Sequence, residues 1–135
     1  MLAHAGAVGQ AGSVALSPAP ALAALLLGSG TLHFATPKPF DAIVPRALPG
    51  NARTYTEVSG VAELAIGAAL AVPRTRRLGG TLAAALFVAV FPANVQMALD
   101  WLRSDRPAPA KAAALARLPL QIPLVVAALR VRRGA

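Results

Sequence analysis

The stretch that most constrains this chain runs from Thr54 to Val72, TYTEVSGVAELAIGAALAV, an apolar run with an acidic residue, Glu63, near its middle. At about 1.5 Å rise per residue it is roughly 28 Å long as a helix, close to the hydrocarbon thickness of a bilayer. Glu63 then lies near mid-membrane, where a charged carboxylate costs a few kcal/mol or more. It must therefore face protein or water, find a partner, or stay protonated. Ser59, Gly60 and Gly67 stand three or four residues either side, on or beside the same face, and small residues there let neighbouring backbones approach. The helix is expected to turn Glu63 toward other helices.

Three further apolar runs of spanning length begin near Ala19, Leu78 and Ala112. With 56% hydrophobic and 13% charged residues and a mean hydropathy of +0.60, the expected class is all-α. The architecture expected is an integral membrane four-helix bundle with a short interfacial helix between the first and second spans. So much chain in lipid leaves no room for a soluble catalytic domain, and no independent catalytic activity is expected.

A net charge of +8 suggests nucleic acid only if a basic face with interleaved aromatics exists. The thirteen Lys and Arg residues instead sit in short loops and at the C-terminus, where they read as topology determinants and contacts to anionic membrane lipid. The absence of cysteine excludes disulfide scaffolds, CxxCH haem attachment, thiolate metal sites and dithiol relays. Abundant Ala, Arg, Gly and Pro suggest a high-GC bacterial genome, hence a bacterial inner membrane.

Residues 1–17 lack both a basic n-region and a dense aliphatic core and read as a flexible tail. Residues 18–130 form the expected four-span domain and 131–135 a basic tail. Pro18 and Pro20 open the first span, Ala19 to Ala35, which Pro37 and Pro39 stop. In PFDAIVPRALP, the residues Phe40, Ile43, Val44 and Leu48 fall at helical spacing, predicting the interfacial helix. Asn51 is the predicted N-cap of the second span. The third span, Leu78 to Trp101, contains Pro92, which predicts a kink by freeing the Val88 carbonyl, and Trp101 is a natural headgroup anchor, as is Tyr55. The last span, Ala112 to Leu129, contains Pro119 and Pro123 and is expected to bend or unwind locally.

An even number of spans puts both termini on one side. Three arginines in the turn 74–77 and three in 130–133 lie there, against Lys38, Arg46, Arg53, Arg103, Arg106 and Lys111 opposite. The totals balance, but the first set is denser and abuts the helix ends, which favours cytoplasmic termini. With that topology His33 lies roughly 5 Å below the outer boundary, Arg117 roughly 8 Å, Asn94 roughly 10 Å, and Glu63 and Gln121 roughly 13 Å. These five residues are the candidate ligand-binding set, lining a polar cavity open to the outer face with an apolar floor. A structural role stands beside this one, because Asn94 and Gln121 can equally serve as interhelical hydrogen bonds worth about 0.6 to 2 kcal/mol each. HExxH, phosphate-loop and dinucleotide motifs are all missing, and no metal site is expected. Glu63 is expected to be neutral, or to share a proton with His33 or Asn94, rather than to pair with Arg117, whose side chain tends to snorkel outward.

The strings GTLHFATPKPFDAIVPRALP, YTEVSGVAELAIGAALAVPRTRRLGG, LFVAVFPANVQMAL and RLPLQIPLVV, in that order, resemble the DoxX-like family of small bacterial membrane proteins over about residues 28–128. The resemblance implies a four-helix membrane protein and puts His33, Pro37, Phe40, Pro45, Glu63, Pro92, Asn94, Arg117, Pro119 and Gln121 at motif positions. Some relatives are associated with quinone-linked or redox-defence complexes, and distant ones with assembly of membrane proteins.

The leading expectation is therefore a binder of a small amphipathic molecule, with a quinone as the candidate cofactor, supporting a membrane redox complex. A quinone's carbonyl oxygens would be addressed by Glu63, His33 and Asn94. Electrons would have to come from a partner or from the ligand. The rival is an interaction or assembly factor whose glycines, Gly28, Gly30, Gly60, Gly67, Gly79 and Gly80, contact other membrane proteins. A transporter completed by homodimerisation is a third reading.

Overall fold

The computed structural model describes residues 17–134. The tail expected over 1–17 lies outside those residues apart from Ser17. The described chain is all-helical: α1 (Ala19–Ala35), α2 (Pro37–Ile43), α3 (Ala52–Ala71), a 3-10 turn (Pro73–Thr75), α4 (Arg76–Leu102) and α5 (Ala108–Arg132).

Helix α1 has the bounds its prolines predict. Pro20 sits in the first turn, where its missing N–H has no intrahelical partner to lose, and Pro37 ends the helix. The chain then bends by 99° into α2. That short helix stops earlier than the apolar spacing suggested, because Pro45 forces Val44 out of the helical region to φ −68°, ψ 126°. Gly50, at φ +92°, turns the chain into α3, where Asn51 Oδ1 accepts a hydrogen bond from the Arg53 N–H at 3.1 Å, as predicted for the cap.

Helix α5 departs from expectation. Helix α5 begins at Ala108 and runs through Arg132, so the basic tail expected from residue 131 is helical at its start. Nothing between Ala108 and Ala112 breaks a helix, and Arg130 and Arg132 suit the negative end of its dipole. Nor does α5 unwind at Pro119 and Pro123, whose side chains are exposed. Helix α4 runs as one helix with Pro92 inside it.

Among the described residues two helical segments are individually long and apolar enough to cross a membrane, Pro73–Leu102 and Ala108–Arg132; the bent pair α1 and α2 passes if counted as one. Helix α3, on which the sequence argument centred, is not among them. Arg53, Thr54, Thr56, Glu57 and Ser59 crowd its first two turns, so its apolar character is concentrated in the second half.

The long helices pack mainly as two pairs, α1 with α3 and α4 with α5. Helix α3 joins them by packing on α4, and α1 touches α5 more lightly. Glycine sets the close approaches. A Cβ on Gly60 would lie 2.9 Å from the His33 Cβ, one on Gly30 would lie 3.0 Å from the Gly60 carbonyl oxygen, and one on Gly80 would lie 2.7 Å from the Arg132 nitrogen. One core, built on Leu22, Leu26, Ile66, Leu70, Ala83, Phe87 and Val131, fills the end where α5 finishes. A second, Met97, Ala98 and Ala114 with Ile43, Trp101 and Leu118 against them, ties α2 to the other end of the α4 and α5 pair. Between the two cores the pairs separate.

Candidate functional site

The separation is a cavity of about 410 Å³. His33, Glu63, Asn94, Arg117 and Gln121 all line it, so the fold brings the whole predicted set to one space. Each comes from a long helix: His33 from α1, Glu63 from α3, Asn94 from α4, and Arg117 and Gln121 from α5. Leu25, Leu26, Leu86, Phe87, Val90 and Leu124 supply the apolar walls.

The close contact of Gly60 with His33 draws α1 and α3 together and lets their polar residues meet. His33 Nδ1 lies 2.6 Å from the Ser29 carbonyl oxygen and 3.2 Å from Glu63 Oε2. A carbonyl can only accept, so Nδ1 carries the proton and donates it to Ser29, with the Glu63 oxygen close beside. Ser29 Oγ donates to the same Glu63 oxygen at 3.1 Å. One carboxylate oxygen thus accepts from the Ser29 hydroxyl and lies against the His33 N–H without requiring charge on the imidazole, while Oε1 accepts from no protein donor among the described residues. The Phe40 ring of α2 stacks on the imidazole, centroids 3.9 Å apart and planes 23° from parallel, and the 99° bend is what carries it there.

Across the cavity, Gln121 donates through its amide nitrogen to the Phe87 carbonyl at 2.7 Å, tying α5 to α4 and leaving its own oxygen free. That is the interhelical role weighed for it from sequence, though it lines the cavity as well. The carbonyl taken is Phe87, not the Val88 carbonyl that Pro92 frees. Among the described residues, the side chains of Asn94 and Arg117 make no hydrogen bond and no acid pairs with Arg117. Arg117 is an exposed residue.

Sequence reasoning missed Ser29, Phe40 as a partner of His33, and the fastening of α2. Ser29 was findable, since it precedes His33 by four residues and shares its helical face. The fastening is Asp41, whose Oδ2 accepts from Arg53 Nε at 2.9 Å and whose Oδ1 accepts from Thr56 Oγ1 at 2.6 Å. The Thr56 hydroxyl, then the Arg53 guanidinium, hold the Asp41 carboxyl below its ordinary range. Tyr55, expected as an interface anchor, lines the cavity and donates its hydroxyl to the Pro49 carbonyl. Trp101 carries Arg106 over its ring at 4.1 Å. Among the described residues no group of three His, Cys, Asp or Glu side chains has the arrangement of a metal site.

The chain belongs to a family described as a domain of unknown function (DUF8561), whose model matches residues 22–132. No curated protein and no solved structure matches it.

Proposed function

We propose that this chain is a multi-pass protein of the cell membrane that binds a small amphipathic molecule, with a quinone-like head, in the cavity between its helix pairs. The observation that carries the reading is the convergence of His33, Glu63, Asn94, Arg117 and Gln121 on one space of about 410 Å³. That volume lies within the range of small-molecule sites, roughly 300 to 1,000 Å³, and combines apolar walls with a few polar groups as such sites do. The unbonded Asn94 amide offers a donor for a ring carbonyl, and Glu63 Oε1 is an acceptor for a ring hydroxyl.

The membrane setting in this reading is a four-span bundle with α2 at the interface and both termini cytoplasmic. It is supported by the direction of the large apolar side chains: Ile122, Val58, Val61 and Val88 are 59 to 68% exposed, while much of the core is alanine. In this setting α3 crosses with its polar first turns near the outer surface. Kinship with the DoxX-like proteins of bacterial inner membranes, and support of a membrane redox complex, belong to the same proposal. An assembly factor would need small-residue faces turned outward. Of the six glycines considered for that role, Gly30, Gly60, Gly67, Gly79 and Gly80 abut other helices and only Gly28 has open space before it, which favours ligand binding.

The test is organic extraction of the protein purified in mild detergent, with mass spectrometry of the extract, and titration with a short-chain quinone monitored by Trp101, the single tryptophan. Saturable quenching that weakens in Glu63→Ala and Asn94→Ala is expected. A preparation free of lipid-soluble compounds and showing no saturable quenching overturns the proposal.

A further inference from the structure

The other end of the molecule gathers six arginines: Arg74 in the 3-10 turn, Arg76 and Arg77 opening α4, and Arg130, Arg132 and Arg133 closing α5. The backbone contact at Gly80, whose added Cβ would lie 2.7 Å from the Arg132 nitrogen and 2.8 Å from the Ala128 oxygen, sets the start of α4 against the end of α5. The five acids of the chain do not reach the arginines. Asp41 is paired with Arg53, Glu63 is engaged by His33 and Ser29, Glu57 stands near the start of α3, and Asp100 and Asp105 lie near the opposite end of α4. By helix rise Asp100 is roughly 36 Å from Arg76.

Three of these guanidiniums are held in place. Arg76 Nε donates to the Leu70 carbonyl, Arg77 Nε to the Arg132 carbonyl and Arg133 Nε to the Leu129 carbonyl, each at 3.3 Å. Their terminal nitrogens make no hydrogen bond among the described residues. A guanidinium fixed through Nε presents its remaining N–H groups as a fork matched to two oxygens of a phosphate, which an ammonium cannot imitate.

We propose that Arg76, Arg77 and Arg133 form a binding site for a phosphate group, of the kind carried by an anionic phospholipid headgroup. The site is separate from the cavity and does not depend on what the cavity holds.

The test is native mass spectrometry of the full chain in detergent, titrated with short-chain phosphatidylglycerol, phosphatidylcholine and inorganic phosphate. Wild type is expected to take up phosphatidylglycerol preferentially. The triple variant Arg76→Lys, Arg77→Lys, Arg133→Lys keeps the net charge and is expected to lose roughly tenfold in affinity, because charge-assisted forks become point charges. The double variant Arg74→Lys, Arg130→Lys is expected to bind as wild type. Retention that inorganic phosphate cannot displace assigns the lipid as the source, and displacement by phosphate assigns the free ion; both uphold the site. Undiminished binding by the lysine triple overturns it, since a diffuse positive field would then suffice. Helical circular dichroism checks the fold of the triple, and Arg77→Lys alone replaces it if helicity is lost.

Discussion

Replacing Glu63 by glutamine should leave the fold almost unchanged, whereas replacing it by alanine should not. Glu63 Oε2 accepts a hydrogen bond from Ser29 Oγ at 3.1 Å and lies 3.2 Å from His33 Nδ1. An amide oxygen suits both groups equally well. The new NH2 group takes the place of Oε1, which meets no protein donor among the described residues, so it creates no clash of donors. Alanine removes the oxygen that both groups approach. His33 keeps the Ser29 carbonyl at 2.6 Å, but the Ser29 hydroxyl loses its partner. The His33 and Glu63 side chains are only 9% and 16% exposed, so water compensates poorly. The cost of Glu63→Ala is then about 1 to 3 kcal/mol, nearer the lower figure because one donor of the two retains a partner. Glu63→Gln should fall within about 0.5 kcal/mol of wild type, the usual range where no named interaction is lost. Denaturant unfolding in micelles, followed by helical circular dichroism, measures all three proteins. If glutamine destabilises as much as alanine, and Arg117→Gln does the same, an ion pair with Arg117 is holding the bundle and the hydrogen-bond account is wrong.

Gly80→Ala should destabilise by about 1 to 3 kcal/mol, since its Cβ meets main-chain atoms of α5 that yield only if the pair separates, while Gly28→Ala, with open space before it, should be neutral or gain up to about 1 kcal/mol; equal thermal shifts would refute this. Asp41 has a depressed carboxyl value when folded, so its contribution is complete above the ordinary 3.8 and disappears as pH falls through the depressed value; Asp41→Asn should therefore flatten the loss of melting temperature below pH 3.8 while leaving the cavity polar set intact. Phe40→Ala uncovers the His33 ring and should weaken quinone quenching of Trp101 without lowering helicity, and unchanged quenching would separate α2 from the binding site.

What could be read in advance, and what could not, divides along one physical line. A polar group in an apolar run carries a cost that its depth alone makes visible, so His33, Glu63, Asn94, Arg117 and Gln121 stood out before any partner was known, and all five line one cavity. The bounds of α1 were equally accessible because prolines act locally. Partners are another matter, since they depend on the angle between helices and on loop geometry. The 99° turn that sets Phe40 on His33, and the reach from Asp41 to Arg53 and Thr56 across a loop, have no periodic signature. Ser29 was hidden for the opposite reason: a serine costs little inside a helix, so nothing called for an explanation of it. Helix α3 falls short of the apolarity of the two longest helices because its first two turns are polar. Yet its polar first turns are what accommodate Asp41, through Arg53 and Thr56, and thereby hold α2 near the cavity. The feature that lowers the helix's fitness for lipid is thus the one that fastens Phe40 over the site, and an Arg53→Ala, Thr56→Ala pair should reproduce the binding defect of Phe40→Ala with the aromatic ring still present.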